Sequence, residues 1–367
     1  MKAVFQHVSD PETKVSQFVI DNNVALPPLD GYSILIEVKS CALSHVDCKV
    51  LQLLYDKSND LKYPVGQDIS GIVRQVGPDV TMLKPDDEVV GIIPLDFGIS
   101  GCAEYVVLNE FDVVKKPDRV SFVDAAGCIG DAVKAYTALH YLGRMTGGDT
   151  ILIMDGATSF GSLAIQLAYH WGAKVLTTTS SSDEKLYLEG LEDKLALIID
   201  LTKRSTRIGR YNNSNSGIIL SACMEESSGL GVDIIIDNGV TMFSDDKNRK
   251  IANEFYTHPV PSKREILSAL AVGGRWVTCK DDLQLDPPNS RILYLKCASV
   301  SFLFEQAWTL SSTQQGRYMH ILMDIMEKVA DGVIQPNIHH TVPFEAVPEA
   351  LKNLSEERVG KVVMKLD

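Results

Sequence analysis

The 367-residue chain contains no apolar run approaching the ~20 residues that a bilayer-spanning helix requires. Its opening residues, MKAVFQHVSDPETK, carry no apolar segment of secretory-signal length. Seven cysteines are scattered without one Cys-x-x-Cys pair, an odd number that argues against a disulfide framework and for free thiols in a reducing compartment. Cytoplasm is therefore the expected location. Positive charge is also in short supply. With 35 Lys and Arg against 48 Asp and Glu, the formal net charge is −13. That sign repels phosphate backbones and anionic membrane surfaces, so neither nucleic acid nor membrane is an expected partner. Internal repeats and low-complexity tracts are absent as well.

What is present is an ordinary globular composition, 45% hydrophobic and 23% charged, in a chain long enough for about two domains. The first ~125 residues read as closely spaced strands. The segments 33–43, 69–77, 87–95 and 102–108 are short, rich in Val and Ile, and separated by turns such as Gly77-Pro78-Asp79 and Lys84-Pro85-Asp86. That spacing points to a barrel or a sheet bent on itself. The pattern then changes. Apolar strands at Ile151–Met154, Lys174–Thr178, Ala196–Asp200, Asp233–Asp237 and Arg275–Thr278 alternate with helices that include Ser159–Trp171 and Lys263–Leu270. Apolar strands alternating with amphipathic helices form a parallel sheet covered on both faces, so the expected class is α/β with a doubly wound, Rossmann-like sheet. After about residue 300, one more helix and a last strand, GKVVMKL, offer no core of domain size and are expected to return to the first domain. Polar stretches at 203–216 and 241–262 read as surface excursions.

The first strand–turn–helix unit is the most informative stretch. A dinucleotide turn normally reads Gly-x-Gly-x-x-Gly, in which the first glycine makes the tight turn, the second admits the pyrophosphate and the third lets helix and strand pack closely. Here it reads Gly156-Ala157-Thr158-Ser159-Phe160-Gly161, with the second glycine replaced. Gly156 and Gly161 fit the first and third roles. Thr158 fits the second only if its side chain turns away and its N–H still faces the phosphate. The helix that follows would present free N–H groups and a positive dipole end to an anion, and Ser159 could add a hydroxyl. A packing-only role for the two glycines is the bland alternative. The second strand ends in a Thr/Ser run, Thr177 to Ser182, with no acid before Asp183. An NAD site usually places Asp or Glu there. Small hydroxyls such as Ser181, followed by Lys185, suit a 2′-phosphate and favour NADP(H), although such a run is also an ordinary polar turn.

Longer segments carry a resemblance over nearly the whole chain. They include MKAVFQ, VKSCALSHVD, VGQDISGIVRQVGPDVTMLKPDDEVVG, AEYVVL, AAGCIGDAVKAYTAL, GLGVDIIIDNG, LAVGGRWV and VGKVVM. The chain resembles the zinc-free medium-chain dehydrogenase/reductases of the quinone oxidoreductase (zeta-crystallin) group. The resemblance implies a GroES-like catalytic domain over 1–126 and 304–367 and a Rossmann dinucleotide-binding domain over 127–303. It implies NADP(H), to which Gly156, Thr158, Ser159, Phe160, Gly161, Ser181, Lys185 and Gly239 are the candidate contacts. It implies hydride transfer to a small-molecule acceptor, a quinone or an activated alkene, in a homo-dimer or homo-tetramer. A non-catalytic NADP(H)-binding or scaffold protein on the same fold is the alternative.

Residues that should carry the family's chemistry are altered. Where zinc-dependent relatives place metal ligands, this chain has Ser44, Gln67 and Gly130, none a good Zn²⁺ ligand, so no metal is expected. His339-His340 read as exposed neighbours and Cys41 as a small buried hydrophobe in a strand. The candidate substrate pocket is Ser44, Lys49 and Lys134. Lys134 could pair with a pyrophosphate or polarise a carbonyl oxygen, or simply pair with Asp131 at i,i+3. His45 and Asp47 could relay a proton to the reduced acceptor; Asp47 could equally brace a helix start and His45 be a surface histidine. The catalytic group itself is not identified by sequence.

Overall fold

The computed structural model describes residues 1–8, 16–44, 62–202, 217–237, 261–354 and 359–366. His45, Asp47, Lys49 and Gly239, and the polar stretch 203–216, lie outside these residues. The chain divides into two compact units, Met1–Val133 with Glu305–Asp367, and Lys134–Phe304.

The first unit opens with β1 (Ala3–Val8) and β2 (Ser16–Asp21), which pair antiparallel. Strand β3 (Ser33–Ala42) alternates in burial because one face packs on the core: Ile34, Ile36 and Val38 are sealed while their neighbours are not. It pairs with β5 (Asp68–Val76), which pairs with β6 (Glu88–Ile92), which pairs with β8 (Val113–Lys115); β7 (Tyr105–Asn109) also pairs with β3. The short β4 (Lys62–Pro64) completes a three-stranded sheet with β1 and β2. Cys41 is fully buried on β3, as its strand position implies. Helix α1 (Phe122–Tyr136) follows, started by the Ser121 hydroxyl, which accepts the Asp124 N–H at 3.0 Å. It runs on as a wider, π-type turn over Thr137–Leu142.

The second unit is a parallel sheet. Its strands are β9 (Thr150–Ile153), β10 (Lys174–Thr179), β11 (Leu197–Asp200), β12 (Val232–Asp237), β13 (Leu270–Thr278) and β14 (Ser299–Phe302), in the order β11-β10-β9-β12-β13-β14. Every pairing is parallel. This is the doubly wound order, which reverses direction beside β9 and leaves a crevice at the carboxyl ends of the strands. Helices α2 (Ser159–His170), α3 (Ser182–Glu189), α4 (Ile218–Glu226), α5 (Lys263–Ala269) and α6 (Pro287–Lys296) connect them. Ile151, Leu152 and Ile153, and Ile234, Ile235 and Ile236, are all sealed, which a strand covered on both faces requires. The edge strand β14 is the element the sequence reading passed over, being only four residues long and partly polar.

The chain then returns to the first unit. Helix α7 (Gln315–Ala330) packs on β8, and β15 (Ile338–Pro343), α8 (Val347–Asn353) and β16 (Lys361–Lys365) follow. β16 pairs with β3 and places Val363 opposite Ala42. The C-terminal strand thus closes the seven-stranded sheet that the N-terminal strands began. His339 and His340 are both exposed.

Candidate functional site

The turn after β9 is where the second unit concentrates its special geometry. Asp155, directly after the strand and before Gly156, is the residue in the left-handed region, with φ +55°. The sequence reading gave the tight turn to Gly156, and the structure gives it to Asp155. Gly156 is needed for another reason. A Cβ there would fall 2.0 Å from Thr177 Oγ1 on β10, so the missing side chain lets the turn lie against the neighbouring strand. Gly161 has the packing role expected of it, because its Cβ would fall 2.3 Å from the Asp155 carbonyl oxygen.

Thr158 is the N-cap of α2, with φ −65° and ψ 159°. Its hydroxyl accepts the Gly161 N–H at 3.0 Å and donates to the Asp155 carbonyl at 2.8 Å. Its own N–H donates to that same carbonyl at 3.1 Å. The expectation that the Thr158 N–H faces a phosphate therefore fails, because the turn itself uses it. The N–H groups of Ser159 and Phe160, the first two of the helix, have no intrahelical carbonyl to bond and are the ones available to an anion.

A cation stands at this helix end. Lys134 is half-buried, and its Nζ lies 4.8 Å from the centroid of the Phe160 ring, within cation–π range. The salt bridge of Asp131 is with Lys361, at 2.9 Å, a partner 230 positions along the chain. The i,i+3 pairing between Asp131 and Lys134 suggested by sequence left this long-range partner out of account.

At the carboxyl end of β10, Thr177, Thr178 and Thr179 are all sealed. Two of their hydroxyls stitch the sheet to the turn: Thr177 Oγ1 donates to Ile153 O at 2.8 Å, and Thr178 Oγ1 accepts the Asp155 N–H at 2.9 Å. Ser181 caps α3 by accepting the Glu184 N–H at 3.2 Å, and Glu184 reaches back to accept the Ser180 N–H at 2.6 Å. This resembles a capping box, with Glu184 reaching one residue further back, to the residue before the N-cap. Glu184 was missed by sequence reasoning, and the Ser-x-x-Glu spacing from Ser181 was the available signal. The Ser180 Oγ is buried and has no hydrogen-bond partner, a polar atom that needs one at the strand end. Lys185 is half-buried, with Glu189 at 3.6 Å. At the ends of β12 and β13, the buried Asp237 carboxylate accepts from Trp276 Nε1 and, at 3.1 Å, from Thr278 Oγ1.

The first unit holds the positions where a metal would be ligated. Ser44 follows β3 and is half-buried. Gln67 is buried, and its Oε1 accepts from Gln306 Nε2 at 3.0 Å. Gly130 has no side chain, and a Cβ there would fall 2.2 Å from Asp68 Oδ2, so that carboxylate fills the space a third ligand would need. A hydroxyl, an engaged amide and a glycine are not a zinc donor set. Among the described residues no three His, Cys, Asp or Glu side chains converge as a metal site. Nearby Cys128 is sealed; burial, with Asp124, Asp68 and Asp131 adding negative charge, pushes its thiol far above the ordinary range and keeps it neutral.

The features at the sheet's carboxyl end fit a nicotinamide dinucleotide: a turn packed tightly through Gly156 and Gly161, open helix N–H groups, a cation, and a partnerless hydroxyl. Comparison with known proteins agrees. Residues 30–118 match the alcohol dehydrogenase GroES-like domain, and residues 230–364 match the zinc-binding dehydrogenase family. The chain is 41% identical over 365 residues to quinone oxidoreductase-like protein 1 of Mus musculus, covering 99% of each. It is 37% identical over 196 residues to 2-methylene-furan-3-one reductase of Solanum lycopersicum, covering 51% of this chain and 49% of that one. A mycobacterial quinone oxidoreductase structure superposes with a TM-score of 0.75 at 18% identity, covering 100% of both chains, which is a likeness of fold. The chain belongs to the medium-chain dehydrogenase/reductases, whose oxidoreductases bind a nicotinamide cofactor, and within them to the quinone oxidoreductase-like group.

Proposed function

We propose that this chain is an NADPH-dependent, zinc-independent oxidoreductase that passes a hydride to a quinone or an activated alkene. The observation that carries the reading is the start of α2 at the carboxyl edge of a doubly wound sheet, with Ser159 and Phe160 N–H groups open and Lys134 beside them. When bound, NADP(H) supplies the hydride chemistry, and the protein's part is to hold and orient. The Ser159 and Phe160 N–H groups donate to the pyrophosphate, and the Lys134 ammonium adds charge of the opposite sign. Gly156 and Gly161 let the turn pack against β10 and the Asp155 carbonyl, which holds the helix start in place. Lys185 leaves a weak, solvent-accessible pair with Glu189 to meet the 2′-phosphate. The Ser180 hydroxyl gains the partner it lacks, and Ser181 shapes the site by capping α3 rather than by direct contact.

The division of labour follows the family: residues 1–126 with 304–367 hold the acceptor, and 127–303 hold the cofactor. Ser44 and Lys134, with Lys49 outside the described residues, remain the proposed acceptor contacts, and His45 and Asp47 the proposed proton relay. Zinc independence is supported by the donor set at Ser44, Gln67 and Gly130. The acceptor class is supported by the tomato relative, whose name describes reduction of an activated alkene. Assembly into a homo-dimer or homo-tetramer is supported by exposed apolar side chains on the edge strand β14, where Phe302 is 55% exposed, and on α6, where Leu295 is 70% and Tyr294 81% exposed. No described helix is long and apolar enough to cross a membrane, in keeping with a cytoplasmic enzyme.

The test is NADPH absorbance in the presence of a panel of quinones and enones. Acceptor-dependent oxidation, unaffected by a zinc chelator, is the expected result. Cofactor binding without turnover on any acceptor would leave a non-catalytic NADP(H)-binding protein instead.

A further inference from the structure

A cavity of about 380 Å³ opens in the first unit, between the start of α1 and the pairing of β3 with β16. Its volume lies within the range of small-molecule sites, roughly 300–1,000 Å³. Ser40 stands in its wall, and the Ser40 hydroxyl is sealed from solvent without a hydrogen-bond partner. A buried hydroxyl in that state costs free energy that an arriving acceptor would recover. The strand register fixes the face it lies on. Ser40 is opposite Lys365 on β16 and Ser70 on β5, so the three side chains share one face of the sheet. Ser70 Oγ donates to the Phe122 carbonyl at 2.7 Å, which sets the first turn of α1 over that face.

That turn brings further donors. Of the four N–H groups at the start of α1, that of Asp124 donates to the Ser121 hydroxyl and that of Ala125 to the Ser121 carbonyl. The N–H groups of Phe122 and Val123 donate to no acceptor among the described residues, and both residues line the cavity. Most of the charge in the wall is already spent. Lys116 is sealed and bonds Glu88 at 2.7 Å and the carbonyls of Pro117 and Val120, while Lys39 pairs with Glu37 at 3.0 Å. Lys365 and Asp118 are exposed and make no ion pair among the described residues.

We infer that this cavity binds a small organic anion, its carboxylate or phosphate head on the Ser40 hydroxyl and the Phe122 and Val123 N–H groups, its apolar body against Phe122, Val120 and Leu366. Lys365 contributes an ammonium and Asp118 a carboxylate, but both are exposed and screened by solvent, so the buried donors decide the head group. The site is built wholly from the first unit and is independent of the cofactor reading.

The experiment is calorimetric titration of the full-length protein with benzoate and with phenyl phosphate. Inorganic phosphate serves as the head alone and benzyl alcohol as the body alone. Thermal midpoints of the unliganded proteins are recorded in parallel. Ser40→Ala should weaken the better anion about tenfold, the loss of a hydrogen bond to a charged group. Its unliganded midpoint should hold or rise, because the hydroxyl removed had no partner. Lys365→Met should weaken binding about threefold, an effect that fades as salt rises. Lys134→Met, at the start of α2, should bind as wild type does. A preference for phenyl phosphate assigns the head as a phosphate ester, and a preference for benzoate assigns it as a carboxylate. Absence of binding by either anion at millimolar concentration overturns the inference. Binding that Ser40→Ala leaves unchanged overturns it too, and binding that Lys134→Met abolishes moves the anion to α2. A fall in the unliganded midpoint of Ser40→Ala makes the hydroxyl a structural part of the sheet and removes it as a ligand donor. Benzyl alcohol as tight as benzoate overturns the anionic head, and inorganic phosphate as tight as phenyl phosphate overturns the apolar body.

Discussion

The Thr158 hydroxyl accepts the Gly161 N–H at 3.0 Å. That one bond explains why a threonine stands where a dinucleotide turn usually has a glycine. The side chain does not project toward a phosphate; it folds back as the N-cap of α2 and donates to the Asp155 carbonyl. The cap steadies the helix start but uses the Gly161 N–H, one of the donors an anion could otherwise use. The anion-binding capacity of the turn is narrowed to Ser159 and Phe160.

Removing the cap tests this directly. Thr158→Ala should cost about 1 kcal/mol of stability, the usual value of an N-cap hydroxyl. Urea denaturation should show a lower midpoint with an unchanged slope. An unchanged midpoint would contradict the capping role.

Lys134 offers a second test. Lys134→Met keeps an unbranched apolar stem against Phe160 and removes the ammonium. Loss of a partly buried charge at the helix end should weaken NADPH roughly tenfold, with little change in the unliganded thermal midpoint. Equal affinity in the variant would move Lys134 out of the cofactor site and back to a surface role.

Asp112 provides a pH test of the first unit. Burial pushes its carboxyl up to about 6, against the stabilising Asn109 N–H at 3.1 Å, with the negative charge of Asp96 adding to the rise. A folded pKa above the unfolded value contributes stability that is fully present below the unfolded pKa of 3.8 and is lost as pH rises through about 6. Ionising Asp112 in the folded state thus costs on the order of 3 kcal/mol at neutral pH. Asp112→Asn should therefore gain stability relative to wild type as pH rises from 4 toward 7.5, by an amount of this order, read from urea midpoints across the range. A difference that stays flat with pH would show that burial does not perturb Asp112.

Much of the fold was legible in the sequence because burial on two faces leaves continuous apolar strands. Ile151–Ile153 and Ile234–Ile236 could be read as sheet interior without any knowledge of their neighbours. The packing role of Gly161 was also legible, since its spacing from the strand is fixed by the turn. Relationships that depend on where a distant or folded-back group arrives were not. The left-handed conformation of Asp155 was hidden by the adjacent Gly156, which is the residue expected to adopt it. The bond from Glu184 back to Ser180 needed the helix start at Ser182 to be known. The pairing of Asp131 with Lys361 joins α1 to the C-terminal strand across 230 positions, and nothing local in the sequence signals it.

The most direct test of the central claim is the thermal midpoint of the purified protein with and without excess NADPH, with NADH as the control. A ligand that binds only the folded state raises apparent stability, by about 2.7 kcal/mol at 100 times its dissociation constant. A clear rise with NADPH and a small one with NADH is the expected result, from the open N–H groups of α2 and the proposed contact of Lys185 with a 2′-phosphate. No rise with either at millimolar concentration would contradict the cofactor site and leave a scaffold that kept the fold of its family without its ligand.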